Sequence, residues 1–323
     1  MFGIYRLILA LMVELSHTGH YGPIGHLAII GFFVLSGFLM TLLMHTTYRG
    51  HIGDFALNRF LRLYPTYWVC MIISALLYIW TPSKSIYYGF PTIPHLILNI
   101  LYLNYNLNFP SLLEVSWAVT NEIIMYVLIA LGISKTLGRT ALWLLISFVY
   151  YESVSEFAPG NEWSYFMPTA ASFPFAIGAM VYHLYNYIPQ QFYKKYLLFS
   201  FAGCVASIYI ICSLHFNSSA NAIFLCSSAV FVMGLFQIRP SATLKKWDNK
   251  LGSLSYPLYL IHLPIASVIF NKIHHSGPKA IDLVIMILSL LMSWGIVAVV
   301  DKPVNRLRDM IRRQAQTPPK LNT

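Results

Sequence analysis

Residues 3–20, GIYRLILALMVELSHTGH, form an apolar run that carries three ionisable side chains, Arg6, Glu14 and His17. Each such group costs roughly 2.5–3.5 kcal/mol at the centre of a bilayer, so it faces protein or a wet cavity. Arg6 and His17 are eleven positions apart. At about 100° per residue they return to within roughly 20° of one helix face, with about 16 Å of rise between them. Glu14 stands three residues before His17, a spacing at which helical side chains meet. An imidazole titrates near neutral pH and suits general-base work. A fixed guanidinium suits a developing oxyanion, and a carboxylate such as Glu14 or Glu122 suits the orienting of the imidazole. The plainer alternative is that Arg6 snorkels to one interface and His17 sits at the other.

Further chemistry lies in four other stretches. In DFALNRFLRLYPTYWV, Arg59 and Arg62 share one face of an amphipathic turn, predicted to end at Tyr64-Pro65 because the residue before proline leaves the helical region. The pair suits lipid phosphates or a soluble anionic cofactor. SWAVTNEIIMYVL puts Asn121 and Glu122 inside an apolar run, as a structural acid, a proton carrier, or a counter-charge to Arg6 or His17 on another helix. LSYPLYLIHLPI sets His262 between Pro257 and Pro264, as a core histidine or a catalytic one. VVDKPVNRLRDMIRR reads as a basic amphipathic helix after Asp301, most simply an anchor on anionic membrane lipid. Gly31, Ser36 and Gly37 are small enough for close helix packing. Cys70, Cys204, Cys212 and Cys226 are scattered singly, so no metal site is expected.

The elements that position these residues are membrane helices. The 323 residues are 57% hydrophobic and only 10% charged, against roughly 25% charged in soluble domains, which predicts an all-α polytopic integral membrane protein. The net charge of +10 does not indicate nucleic acid here, because its placement follows topology. Apolar runs fall at 3–20, 25–45, 64–80, 112–133, 139–152, 164–186, 195–214, 220–238, 251–270 and 278–300, about ten transmembrane helices. With both termini cytoplasmic, all but three of the 21 Lys and Arg side chains lie inside, leaving Lys84, Lys272 and Lys279 outside, as the positive-inside rule requires. Residues 94–109 are apolar but rich in Asn and read as an interfacial or re-entrant helix. No cleavable signal is expected. Residues 1–312 are expected to form one transmembrane domain, and 313–323 a disordered cytoplasmic tail.

Taken in order, Arg6 with ten residues before His17, FFVLSGFLM at 32–40, NRFLRLYPTYW at 58–68, SWAVTNEIIMY at 116–126, SYPLYLIHLPI at 255–265 and DKPVNRL at 301–307 resemble the membrane acyltransferase-3 family over nearly the whole chain. The chain is similar to the short members that modify surface or exported polysaccharide. The resemblance implies a ten-span core in a bacterial cytoplasmic membrane. It implies His17 as the catalytic histidine with Arg6 its companion, and Arg59 and Arg62, with Tyr64 and Tyr67 of the same motif, near the acyl donor. Glu122 and Tyr126 fall on the acidic and aromatic positions of the fourth-span motif. Trp117, Tyr126 and His262 are carried over as acceptor-side residues. Ile123 replaces a second acid, Asp301 replaces the usual Glu, and Glu14 is an acid where an apolar residue is usual. The appended extracytoplasmic hydrolase-like domain of longer members is not expected.

The activity implied is transfer of an acyl group, acetyl by analogy, from cytosolic acyl-CoA (acetyl-CoA as cosubstrate) to a sugar hydroxyl of a lipid-linked or exported glycan. His17 would act as base or as acyl carrier. Two rivals stand beside it: a proton-coupled transporter with Glu14, His17 and Glu122 as relay, and a non-enzymatic glycan-assembly partner. Acceptor choice is expected to rest on residues 87–91, 99–108 and 152–164.

Overall fold

Each apolar run contains a helix among its described residues. The computed structural model describes residues 1–18, 22–82, 89–103, 110–157, 165–187, 193–214, 217–273 and 280–316. In order the helices are α1 (Phe2–His17), α2 (Ile24–Thr46), α3 (Ile52–Trp80), α4 (Ile93–Ile100), α5 (Ser116–Ala130), α6 (Leu137–Phe157), α7 (Pro168–Leu184), α8 (Tyr193–Tyr209), α9 (Asn217–Gln237), α10 (Ala242–Ile273), α11 (Ala280–Ile296) and α12 (Lys302–Gln316). A π-helical turn, Val297–Asp301, joins α11 to α12. No strand occurs among the described residues. Six of the helical stretches there are long and apolar enough to cross a membrane: Ile24–Thr46, Ile52–Trp80, Lys194–Ser213, Ser219–Gln237, Ala242–Lys272 and Ala280–Arg313. This is a multi-pass membrane protein. The helix α4, with eight residues, is too short to cross, as its Asn-rich sequence foretold.

One local expectation is corrected. The helix α3 does not end at Tyr64-Pro65 but runs through Pro65 for 29 residues. A proline removes one backbone hydrogen bond, and inside a packed bundle neighbouring helices re-satisfy the freed groups. Arg59 and Arg62 are therefore rigidly joined to a membrane helix. The helix α10 likewise runs through Pro257 and Pro264. At the C-terminus α12 continues to Gln316 with Ala315 buried; 317–323 lie outside the described residues.

Two glycine crossings set the register of the bundle. A Cβ on Gly3 would lie 1.9 Å from the backbone oxygen of Asp248, and one on Gly252 would lie 2.4 Å from the Cα of Gly3. There α1 and α10 touch backbone to backbone, and the Asp248 carboxylate accepts from the Gly3 and Ile4 amides at 3.1 and 2.9 Å. This satisfies two free donors at a helix start and complements its dipole. At their other ends the same helices bring His17 to His262, so they run side by side in one direction. The helices α2 and α7 also run together: Phe33 packs on Phe175 at 5.2 Å and His45 on Tyr182 at 4.8 Å. Against them α1 is antiparallel, with Phe2 beside Phe38 and Ser16 beside Gly25.

The second crossing makes a prediction. A Cβ on Gly178 of α7 would sit 2.0 Å from the Val34 oxygen and 2.8 Å from the Phe38 nitrogen of α2. Because both are backbone atoms, the helices must part. Gly178→Ala is expected to destabilise by about 1–3 kcal/mol or more, read as a lower unfolding midpoint in detergent. Gly138→Ala, where nothing lies within 4 Å, is the control and leaves the midpoint unchanged or slightly raised.

Candidate active site

A cavity of about 1060 Å³ lies among α1, α2, α3, α5, α10 and α12. One end is strongly cationic. Arg59 and Arg62 enter it from α3, Arg308 and Arg312 from α12, and Arg6 from α1, with Arg239 between α9 and α10 and Lys245 in the first turn of α10. Three carboxylates share this lining, Glu122, Asp248 and Asp309. Asp248 is engaged by the start of α1, and the exposed Asp309 pairs with Arg312 at 3.3 Å.

Asn58, fully buried, organises the arginines. Its Nδ2 donates to the Arg308 carbonyl at 3.1 Å. Its Oδ1 accepts from Nη2 of Arg59 at 2.8 Å and from Nη2 of Arg308 at 3.5 Å. Arg308 also donates to Asn305. The Nε atoms of Arg6, Arg59, Arg308 and Arg312 are buried without a hydrogen-bond partner among the described residues. Guanidiniums gathered at reduced dielectric repel one another, so this arrangement suits an occupant with several negative charges. Sequence reasoning missed Arg308 and Arg312. The basic stripe of α12 read as a lipid anchor, but the helix packs on α3 and turns Arg308, only 6% exposed, inward.

Midway along the cavity Glu122 and Tyr126 of α5 join the lining. The Glu122 carboxylate accepts from the Ser36 hydroxyl, which is its cross-helix partner. Ser36, read as a packing residue, is thus also a polar one. At the far end the lining is Ile29 and Phe32 of α2 and Tyr259 of α10. Phe32 packs against Tyr259 at 6.2 Å, and the Tyr259 hydroxyl donates to the Val115 carbonyl at 2.8 Å.

Immediately beyond Tyr259 is the histidine pair. The Tyr259 and His262 rings are 6.2 Å apart. Nε2 of His262 lies 3.1 Å from Nδ1 of His17, and Nδ1 of His262 lies 3.2 Å from the Leu258 carbonyl. His262 is 1% exposed, whereas His17 is exposed. His17 is not part of the cavity lining. Next to it His26 stacks on Tyr165 at 4.0 Å, and Tyr165 packs on Trp117 at 5.1 Å.

Several sequence expectations are redistributed. Arg6 and His17 share a helix, but Arg6 lines the cavity and His17 does not. Side chains tilt toward the helix N-terminus, and Nη2 of Arg6 lies beside Gly252, near the start of α1. Glu14 does not orient His17. A three-residue step leaves about 60° between side chains, and the buried Glu14 faces Ser289 of α11. Its carboxylate oxygens have no hydrogen-bond partner among the described residues within hydrogen-bond geometry. Glu14, His17 and Glu122 are thus held on three different sides rather than in one relay. Tyr64 and Tyr67 lie outside the cavity lining, each five residues and about 140° around α3 from Arg59 and Arg62. Their hydroxyls donate to the carbonyls of Leu101 and Asn99 at 3.1 and 2.7 Å. Tyr126 is in the cavity, Trp117 in the aromatic group beside His26, and His262 against His17. Of the expected acceptor segments, residues 87–88, 104–108 and 158–164 lie outside the described residues.

Comparison with curated proteins gives no match, and comparison with solved structures gives none. A family model described as an acyltransferase domain matches residues 4–298, from α1 through α11 and stopping short of α12. That match takes in five of the six ordered motifs, the histidine pair and the Arg6, Arg59 and Arg62 part of the cationic cavity, and the chain belongs to the acyltransferase-3 family.

Proposed function

We propose that this membrane acyltransferase moves an acetyl group from cytosolic acetyl-CoA to a sugar hydroxyl of a lipid-linked or exported glycan, in a bacterial cytoplasmic membrane. The observation that carries the reading is the cavity itself. It gathers arginines from α1, α3 and α12 at one end and closes at the other on Tyr259, whose ring abuts His262. The nucleotide end of a CoA thioester is a polyanion, for which planar guanidiniums are suited. The acyl end is uncharged and suits the apolar far end. The Phe32 and Tyr259 rings are in contact at that end, so they part to let the thioester carbonyl reach His17, which donor and acceptor then approach from opposite faces.

The ten-span reading with both termini cytoplasmic is supported by helix direction. The helices α1, α3 and α10 run together, as do α2 and α7 in the opposite sense. Those are the directions of odd and even spans. Residues 1–312 then form the catalytic domain, with α12 closing its inner end.

His17 acts as general base. Its imidazole takes the proton of the acceptor hydroxyl as the oxygen attacks the thioester carbonyl. The tetrahedral intermediate collapses with cleavage of the C–S bond. The departing thiolate takes the proton from the imidazolium, so ester and free thiol are the products and the histidine is restored. General-base help of this kind is typically worth 10²–10⁴-fold. The aromatic group of His26, Tyr165 and Trp117 offers ring faces to the acceptor sugar.

The test uses purified protein in lipid nanodiscs with acetyl-CoA and glycan from cells lacking the gene. Thiol release that requires the glycan, together with an acetyl mass gain on that glycan, is the expected result. Solute uptake driven by a pH gradient, with no thiol released, sinks the proposal.

A further inference from the structure

We infer that His262 is a positioning residue that fixes the tautomer of His17 and thereby assigns the reacting nitrogen as Nε2. The inference rests on the proposed acyl transfer. Nδ1 of His262 faces the Leu258 carbonyl at 3.2 Å. A carbonyl oxygen only accepts, so that nitrogen carries the hydrogen. A neutral imidazole has one N–H, so Nε2 of His262 presents a lone pair. The group it meets at 3.1 Å is Nδ1 of His17, which must then donate. Nδ1 of His17 holds the hydrogen, and its Nε2 is left with the lone pair, on a side chain that is exposed.

A doubly protonated His262 would break this chain of assignments, but its surroundings oppose it. The ring is 1% exposed, and among the described residues no carboxylate pairs with it. The groups that face the two rings are the Leu258 and Tyr259 carbonyls and the Tyr259 ring at His262, the Val13 carbonyl at His17, the other imidazole and, beside His17, His26. The nearest acid along α1, Glu14, turns toward Ser289. An isolated buried charge is costly, and the ring stays neutral.

The consequence is kinetic. A hydrogen-bond acceptor on one imidazole nitrogen sets which nitrogen reacts and how the ring is aimed, as a carboxylate does in a Ser-His-Asp triad. When Nε2 of His17 takes a proton, the Nδ1–H···Nε2 bond to His262 becomes charge-assisted and stronger. That gain exists only once the imidazolium forms, so it acts on kcat and not on binding of either substrate. It holds whether Nε2 removes a proton or itself accepts the acyl group. The 245-residue separation is bridged by the Gly3–Gly252 crossing, which aligns α1 and α10 so that the two rings arrive at one level.

The test compares His262→Gln with His262→Met in the full-length protein in nanodiscs, measuring kcat and KM for donor and acceptor. Gln can present its carbonyl oxygen near the position of Nε2, and Met fills similar space with no comparable acceptor. The Met variant is expected to lose about tenfold or more in kcat with donor KM nearly unchanged, and the Gln variant to stay within about threefold of wild type. Met at wild-type kcat, or folded, donor-binding Gln as slow as Met, overturns the assignment. Should the variants not fold, nitrogen-15 solid-state NMR of histidine-labelled wild-type protein reads the tautomer directly: Nδ1–H on His17 upholds the inference and Nε2–H overturns it. His17→Ala separates the two levels. If it keeps full transfer, the catalytic role of His17 falls and that of His262 with it, while acyl transfer itself stands; if it is inactive while His262→Met is fully active, only the role of His262 falls.

Discussion

His17→Ala is expected to lower kcat for acyl transfer by about 10²–10⁴-fold and to leave donor KM close to wild type. The split follows from position. His17 stands beyond the cavity, on the far side of Tyr259, so the residues lining the donor's route are untouched. Its side chain is exposed, so truncation opens no interior void, and the unfolding midpoint should hold. A variant that loses rate and midpoint together would make His17 a packing residue. One that loses donor KM alone would move it into the binding machinery. Thiol release at varied acetyl-CoA, with a melt of the same preparation, distinguishes the three.

The opposite split is expected at the cationic end. Arg59→Met with Arg62→Met keeps two long stems but removes two charges from the cavity. Hydrogen bonds to charged groups contribute about 1.5–3 kcal/mol each, equivalent to about 10–150-fold per arginine. The double variant should therefore raise donor KM by roughly 10² or more, with kcat at saturating donor little changed, the signature of lost uniform binding. Arg308→Gln should act in the same direction and by about one such step, because Asn58 holds Arg308 and Arg59 to a common acceptor. Added salt should weaken donor binding to wild type more than to the double variant. If Arg308→Gln changes only membrane association, the helix α12 is an anchor and its place in the donor site is refuted.

What the sequence disclosed, and what it hid, divides along a physical line. Periodicity and hydropathy report how a residue sits relative to its own helix. They placed the helices and the shared face of Arg59 and Arg62, both of which line the cavity. They do not report which neighbour that face meets. Glu14 and His17 looked like partners at i,i+3, yet the acid turned to α11 and the imidazole to α10. The basic stripe of α12 has the same pattern whether it rests on lipid or closes a pocket, and the crossing with α3 decides. Pro65 marks a boundary only in a helix with nothing around it, so α3 appeared one segment too short. The pairing of His17 with His262 depends on Gly3 and Gly252, whose meaning emerges only when another backbone lies against them.

The two rings of Phe32 and Tyr259 close the upper end of the donor cavity, and this has a bearing on substrate choice. The arginines grip the part that every CoA ester has in common, so they are blind to what the thioester carries. Discrimination among acetyl, propionyl and longer cargo then falls to the gauge of that aromatic throat. The rings touch edge to face, 6.2 Å between centres, so girth is limited by how far they part, and a smaller side chain at position 32 should widen the menu without tightening the grip.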